Sequence, residues 1–336
     1  MSLLALLNPS RAFLAMSAVL AGYCLIRFYA STAGNLLVVP YLLAAGALLG
    51  MADSAWRNIF TAAAENEDIH GDLPAGTVST TASFLVAMFT TLAGLMCAMT
   101  GGFNSFRAAG VTIILFLIRS ALFRTVEVFS PLLKGLSFGM LFVIGMTAHT
   151  SFVEMLSIDE TRIPAAFFTL YLVAAAVLSQ ARNSARPREA PAGEELANET
   201  ASRLLEMRDD AIDPVVAWFA GGALVVIPLV LAWILPWRWL SWGILLLLAA
   251  TTLIRLVPVL AYRTRKDLGG FIEAAYRGGA WLTAGAVASL GDYRLREIYQ
   301  GWSIPVPARD ELAAIVVIIL LTMPAWLLRR AAPLDN

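Results

Sequence analysis

Four carboxylates crowd the stretch from Arg57 to Ser79, RNIFTAAAENEDIHGDLPAGTVS, which lies between two apolar segments. They are Glu65, Glu67, Asp68 and Asp72, and a Leu73-Pro74-Ala75-Gly76 turn follows them. Hard anionic oxygens at this density suit Mg²⁺, which in turn holds phosphate groups. Glu65, Glu67 and Asp68 are therefore the candidate catalytic acids, with Glu65 and Asp68 as candidate metal ligands. Asp209 and Asp213 of the central polar stretch are possible helpers. A second set is cationic: Arg57, Arg119, Arg124, Arg182 and Arg186, with Asn58 beside the first. Guanidinium groups bind phosphate oxygens in pairs and need no metal to do so. Both sets also have a plain structural reading. The acids read equally as solvated loop charges, and Arg57 as the i,i+4 partner of Asp53 on one helix.

The elements that must position these residues are apolar. Of 336 residues, 59% are hydrophobic and 14% charged, with a net charge of zero. Soluble domains carry about 25% charged residues, so the balance belongs to an integral membrane protein. Zero net charge argues against nucleic-acid binding, which needs a basic face. Cys24 and Cys97 sit in apolar runs and read as small buried hydrophobes, while His70 and His149 are too few for a zinc site.

A crossing needs about 20 apolar residues. Segments near 12–30, 35–57, 81–100, 107–124, 132–151, 163–181, 214–235, 239–262 and 311–329 qualify. A tenth, 271–290, is rich in Gly and Ala, carries the i,i+4 pair Glu273 and Arg277, and reads as spanning, tilted or interfacial. The expected fold is all-α: one transmembrane domain over 1–336, a bundle of nine or ten helices, because lipid cannot satisfy open backbone groups. Residues 182–213 form a cytoplasmic linker between helices six and seven, with a short amphipathic stretch around Leu196 to Met207. Basic residues concentrate in the even-numbered loops, which places the N-terminus in the cytoplasm of a bacterial inner (cell) membrane. No signal peptide is evident. Arg119 and Arg255, inside apolar runs, should face the bundle interior. Gly46-x-x-x-Gly50 and Gly135-x-x-x-Gly139 read as helix-packing signals.

The order of parts resembles the UbiA superfamily of intramembrane prenyltransferases, nearest its EboC-like branch. The resemblance rests on the Leu73-Pro74-Ala75-Gly76 turn with Val78 and Ser79, and on Asn8-Pro9-Ser10-Arg11 and Ala21-Gly22-Tyr23. It also rests on Phe123-Arg124-Thr125 through Gly135, and on Gly145-Met146-Thr147-Ala148. It covers residues 5–190, and the remainder by helix count alone. It implies a UbiA-like bundle that transfers a prenyl group from a polyprenyl diphosphate to an aromatic or lipophilic acceptor among membrane lipid. In that family, carboxylates of two motifs hold Mg²⁺ against the leaving diphosphate. Here the first motif falls on Arg57, Asn58, Thr61 and Glu65, and only Glu65 is acidic. The second falls on Ser179 to Arg186 and contains no acid. Three outcomes stay open: a metal site rebuilt on Glu65, Glu67 and Asp68; direct phosphate binding by arginines; or a non-catalytic relative that binds or moves an isoprenoid or scaffolds a complex. A secondary transporter has less support, since no internal repeat is visible.

Overall fold

The computed structural model describes residues 9–30, 36–68, 80–122, 129–148, 150–184, 214–235, 239–262, 265–298, 309–321 and 323–324. Among them there is no strand. After α1 (Pro9–Ala30) and a 3-10 turn (Leu36–Val38) come α2 (Val39–Asp68), α3 (Thr80–Thr100) and α4 (Phe103–Leu122). Then follow α5 (Ser130–Met146), the short α6 (Phe152–Ser157), α7 (Asp159–Ser184), α8 (Pro214–Ile234), α9 (Trp239–Tyr262), α10 (Arg265–Ile298) and α11 (Arg309–Leu320).

Each long helix packs on its neighbours in chain order, and α10 returns to α1, so the bundle closes on itself. Helices α1 and α5 also pack on each other, as do α7 and α10, and these four make the interior. The outer helices show the opposite face: Phe89, Ile114, Phe219 and Ile254 are large, apolar and exposed. Thr81–Thr100, Phe103–Ala121, Asp159–Ala181, Val215–Ile234 and Trp239–Leu260 are each long and apolar enough to cross a membrane, and Ser130–Met146 is apolar but shorter. This is an all-α integral membrane protein.

Two sequence expectations change. The acids Glu65, Glu67 and Asp68 are not in a loop, because α2 continues through them to Asp68. Segment 271–290 is not interfacial: it lies inside α10, a 34-residue helix whose described side chains are mostly buried among α1, α7, α9 and α11. Its weak hydropathy comes from small residues that face protein rather than lipid. Asp159 and Glu160 open α7, and Asp159 pairs with Arg162 one turn on. The linker 182–213 lies outside the described residues except at its start, where Arg182 to Ser184 end α7.

Small residues set how closely the inner helices approach. A Cβ on Gly22 of α1 would lie 2.0 Å from the Phe142 carbonyl oxygen of α5. A Cβ on Gly145 of α5 would lie 2.0 Å from the Val19 carbonyl oxygen of α1. In the same way Gly135 and Gly139 admit Val173 and Thr169 of α7, and Gly46 and Gly50 admit the backbone of α1. Polar cross-links fix register: Trp56 Nε1 donates to Thr91 Oγ1 at 3.0 Å, Ser105 Oγ to the Ile144 carbonyl at 3.0 Å, and Ser241 Oγ to the Gly285 carbonyl at 2.8 Å. Between α3 and α4 the chain reverses tightly at Gly102, whose φ of 111° disfavours any side chain.

The α1–α5 contact makes a direct prediction. Gly145→Ala must push two backbones apart and should lower unfolding stability by ~1–3 kcal/mol. At Gly222, where an added Cβ meets nothing within 4 Å, the same change should leave stability unchanged or slightly higher. Thermal unfolding of both variants in detergent checks the contrast.

Candidate functional site

Charged residues gather at one end of the bundle, inside it. Arg11 is in the first turn of α1, Asp53 and Arg57 lie one turn apart at the middle of α2, Arg119 is in the last turn of α4, and Lys134 is in the first turns of α5. Arg11 and Asp53 are each 1% exposed, Arg119 4% and Lys134 8%. Arg57 is half-buried. Arg11 and Lys134 each lie eleven positions before the glycine that joins α1 to α5, so that close contact brings both to the same end.

Asp53 is the hinge of the arrangement. One of its carboxylate oxygens accepts from Arg11 Nη1 at 3.1 Å, and the other accepts from Arg119 Nη2. One buried acid thus ties α1, α2 and α4 together. Asp53 is therefore not held by its helical neighbour Arg57 alone, as the spacing had suggested. Arg119 faces the interior as expected, and its Nη1 finds no hydrogen-bond partner among the described residues.

Lys134 is the unexpected member. Its ammonium lies over the ring of Tyr276 from α10, 4.4 Å from the centroid. It sits within electrostatic reach of Arg11, Arg57, Arg119 and Asp53. Among the described residues no carboxylate pairs with it. A cation–π contact contributes about 0.5–2 kcal/mol, far less than the cost of burying an ammonium. Four cations thus share one acid among the described residues of the cluster, and that acid has an arginine on each oxygen.

Such a site attracts anions and repels metal ions. Mg²⁺ needs free anionic oxygens, and the described residues contain no group of three His, Cys, Asp or Glu able to hold a metal. The described cluster does not fit Mg²⁺. The backbone of Glu65, Glu67 and Asp68 is the end of α2, but their side chains lie outside the described residues, as do Arg124 and Arg186 and the side chain of Arg182. Asp209, Asp213, His149 and the Leu73–Gly76 turn also lie outside. Asn58 is half-buried on α2 beside Arg57. Of the predicted residues, the structure brings together Arg57 and Arg119, and it adds Arg11, Asp53, Lys134 and Tyr276. Phe138 and Leu141 of α5 are core residues. A lone lysine at the start of an apolar run was the signal that could have revealed Lys134.

The clamp predicts an asymmetric mutational response. Asp53→Asn leaves two buried guanidinium groups facing each other and should cost about 3–5 kcal/mol, as breaking a buried pair does. The double variant Asp53→Asn with Arg119→Met removes one of the orphaned charges and should recover part of that loss. Denaturant unfolding in detergent of both variants measures the recovery.

The overall fold is similar to that of a solved digeranylgeranylglyceryl phosphate synthase from membranes. The TM-score is 0.55 at 10% sequence identity, over 85% of this chain and 97% of that chain. At that identity the likeness is one of fold. No family model matches the chain, and no curated protein matches it by sequence.

Proposed function

We propose that this protein is a UbiA-type membrane prenyltransferase, of the EboC-like branch by its Leu73–Gly76 turn, that holds a polyprenyl diphosphate on the buried basic cluster. The observation that carries this reading is Lys134: a buried ammonium beside three guanidinium groups, answered among the described residues by a tyrosine ring and no carboxylate of its own. Membrane interiors penalise unbalanced charge, so such a set is best explained by an anion that completes it. A diphosphate has the charge, and an isoprenoid tail suits the apolar bundle. The fold shared with a prenyl-handling synthase supports the same ligand class. The basic pattern of the loops supports a cytoplasmic N-terminus, with the cluster at the cytoplasmic end and nine or ten crossings in a bacterial inner membrane.

In the proposed reaction the allylic carbon–oxygen bond breaks and both electrons leave with the diphosphate. Arg119 and Lys134 stabilise that growing charge in a water-poor site. The acceptor's electron pair forms the new carbon bond, and its proton leaves with the diphosphate. A lipophilic acceptor is the reading consistent with a membrane site. An alternative places Mg²⁺ on Glu65 and Asp68, which lie one turn apart on the continuous end of α2. That reading makes turnover depend on the metal. If the chain binds without turnover, it is an isoprenoid carrier or scaffold.

Titration of the purified chain with geranylgeranyl diphosphate, with and without EDTA, tests the proposal. Saturable binding that survives EDTA is expected, together with release of diphosphate when acceptor lipid is added. Lys134→Met should weaken binding by about tenfold or more, the loss of one charge-assisted contact. The same change should stabilise the ligand-free protein by ~1–2 kcal/mol, because it removes a buried like charge. Binding unaffected by Lys134→Met would sink the reading, and binding abolished by EDTA would favour the acids at the end of α2.

A further inference from the structure

A second polar site lies on the other side of α10. A cavity of about 230 Å³ opens between α9 and α10, lined on its polar side by Thr251, Arg255 and Arg277 and on its apolar side by Leu247 and Trp281. Arg255 was expected to face the bundle interior, but it is exposed at this cleft, about two turns before the end of α9. No carboxylate among the described residues pairs with it. Arg277 approaches Glu273 on its own helix, Nη2 to Oε2, at 3.9 Å, and the Arg277 Nε donates to the Glu273 carbonyl at 3.3 Å. Behind the cavity, Gly278 leaves room for the hydroxyl of Tyr171, which would lie 2.2 Å from a Cβ at that position. That Tyr171 hydroxyl is fully buried, with Thr252 of α9 beside it.

We infer that this cavity binds the anionic head group of a membrane lipid, with Arg255 and Arg277 gripping the head and the tails lying along the outer face of α9. Leu247 of the cavity lining is exposed, and Leu253, Ile254 and Val257 give α9 an exposed apolar surface as well. An arginine at membrane depth is costly unless an anion or water meets it, and a phosphate or carboxylate head presents the paired oxygens that guanidinium groups bind best. The site is separate from the basic cluster. Tyr276 packs beneath Lys134, while Arg277, the next residue, lines the cavity, so the two sites take different faces of α10.

Native mass spectrometry of the full chain, released from detergent after titration with phosphatidylglycerol, phosphatidylcholine or inorganic phosphate, tests this. One tightly held phosphatidylglycerol is expected, with phosphatidylcholine at least about tenfold weaker. Arg255→Gln should lower phosphatidylglycerol affinity by a similar factor. Ala274→Phe should do so as well, by filling the cavity without changing a charge. Binding of geranylgeranyl diphosphate, which belongs to the basic cluster, should be the same in Arg255→Gln as in the parent, so failure of either idea is visible apart from the other. Equal retention of phosphatidylglycerol by Arg255→Gln and the parent would overturn the inference. So would equal binding of the two lipids, or displacement of the lipid by millimolar inorganic phosphate, which would mark a free-anion site.

Discussion

A carboxylate with an arginine on each oxygen, sealed from solvent, is the contact that the interior of this protein depends on. Asp53 cannot move without exposing Arg11 or Arg119 to an apolar surrounding, and each arginine belongs to a different helix. The start of α1, the middle of α2 and the end of α4 are therefore held in one register by charge, while α1 and α5 are held by backbone contact at Gly22 and Gly145. The two constraints are different in kind. Close packing tolerates little change in volume, and the buried triad tolerates little change in charge. Together they place Lys134 beside the triad, although nothing in its own helix requires it there.

The triad also fixes the sign of the site. A carboxylate-rich pocket in this kind of bundle would hold a diphosphate through a metal, with the cation bridging two anions. A cluster in which arginines already cover the one described acid leaves no carboxylate for that bridge, but it carries donors of its own. Direct contact sacrifices the high charge density of Mg²⁺ and gains fixed geometry, because guanidinium groups are planar and preorganised. The surplus positive charge is a cost to the buried cluster that the proposed anion would relieve. In that proposal, affinity and instability of the free form come from the same side chains, a coupling common at functional sites.

How much of this was legible in the sequence follows from what each residue faces. Helices that face lipid, such as Val215–Ile234, read clearly because their whole surface is apolar. Helix α10 read poorly for the opposite reason: it is surrounded by protein, so Gly278, Gly279 and Ala280 replace large apolar residues. Arg119 was legible as an intramembrane charge, and Arg57 as a charge near the boundary. Their partners were not, since Arg11 and Asp53 are 42 positions apart and Arg119 and Asp53 are 66 apart. Spacing along one helix suggested Arg57 for Asp53, and the tertiary fold supplied two stronger claims. Lys134 was missed because it sits in a helix whose other residues announce only packing.

Helix α10 links the two polar regions. Consecutive residues on a helix are about 100° apart, so Tyr276 and Arg277 must face different neighbours. One meets Lys134 and the other meets the cavity against α9. A helix serving two polar regions would normally need slack, but α10 has little. Leu245 of α9 presses on Gly285, where an added Cβ would lie 2.7 Å away, and Tyr171 of α7 presses on Gly278. Any displacement of α10 toward one region would be resisted by the helix behind it. The Gly- and Ala-rich surface that makes this helix look weakly membranous is therefore what lets it be gripped from both sides, and a helix gripped this way can hold an aromatic ring under a buried lysine without depending on lipid.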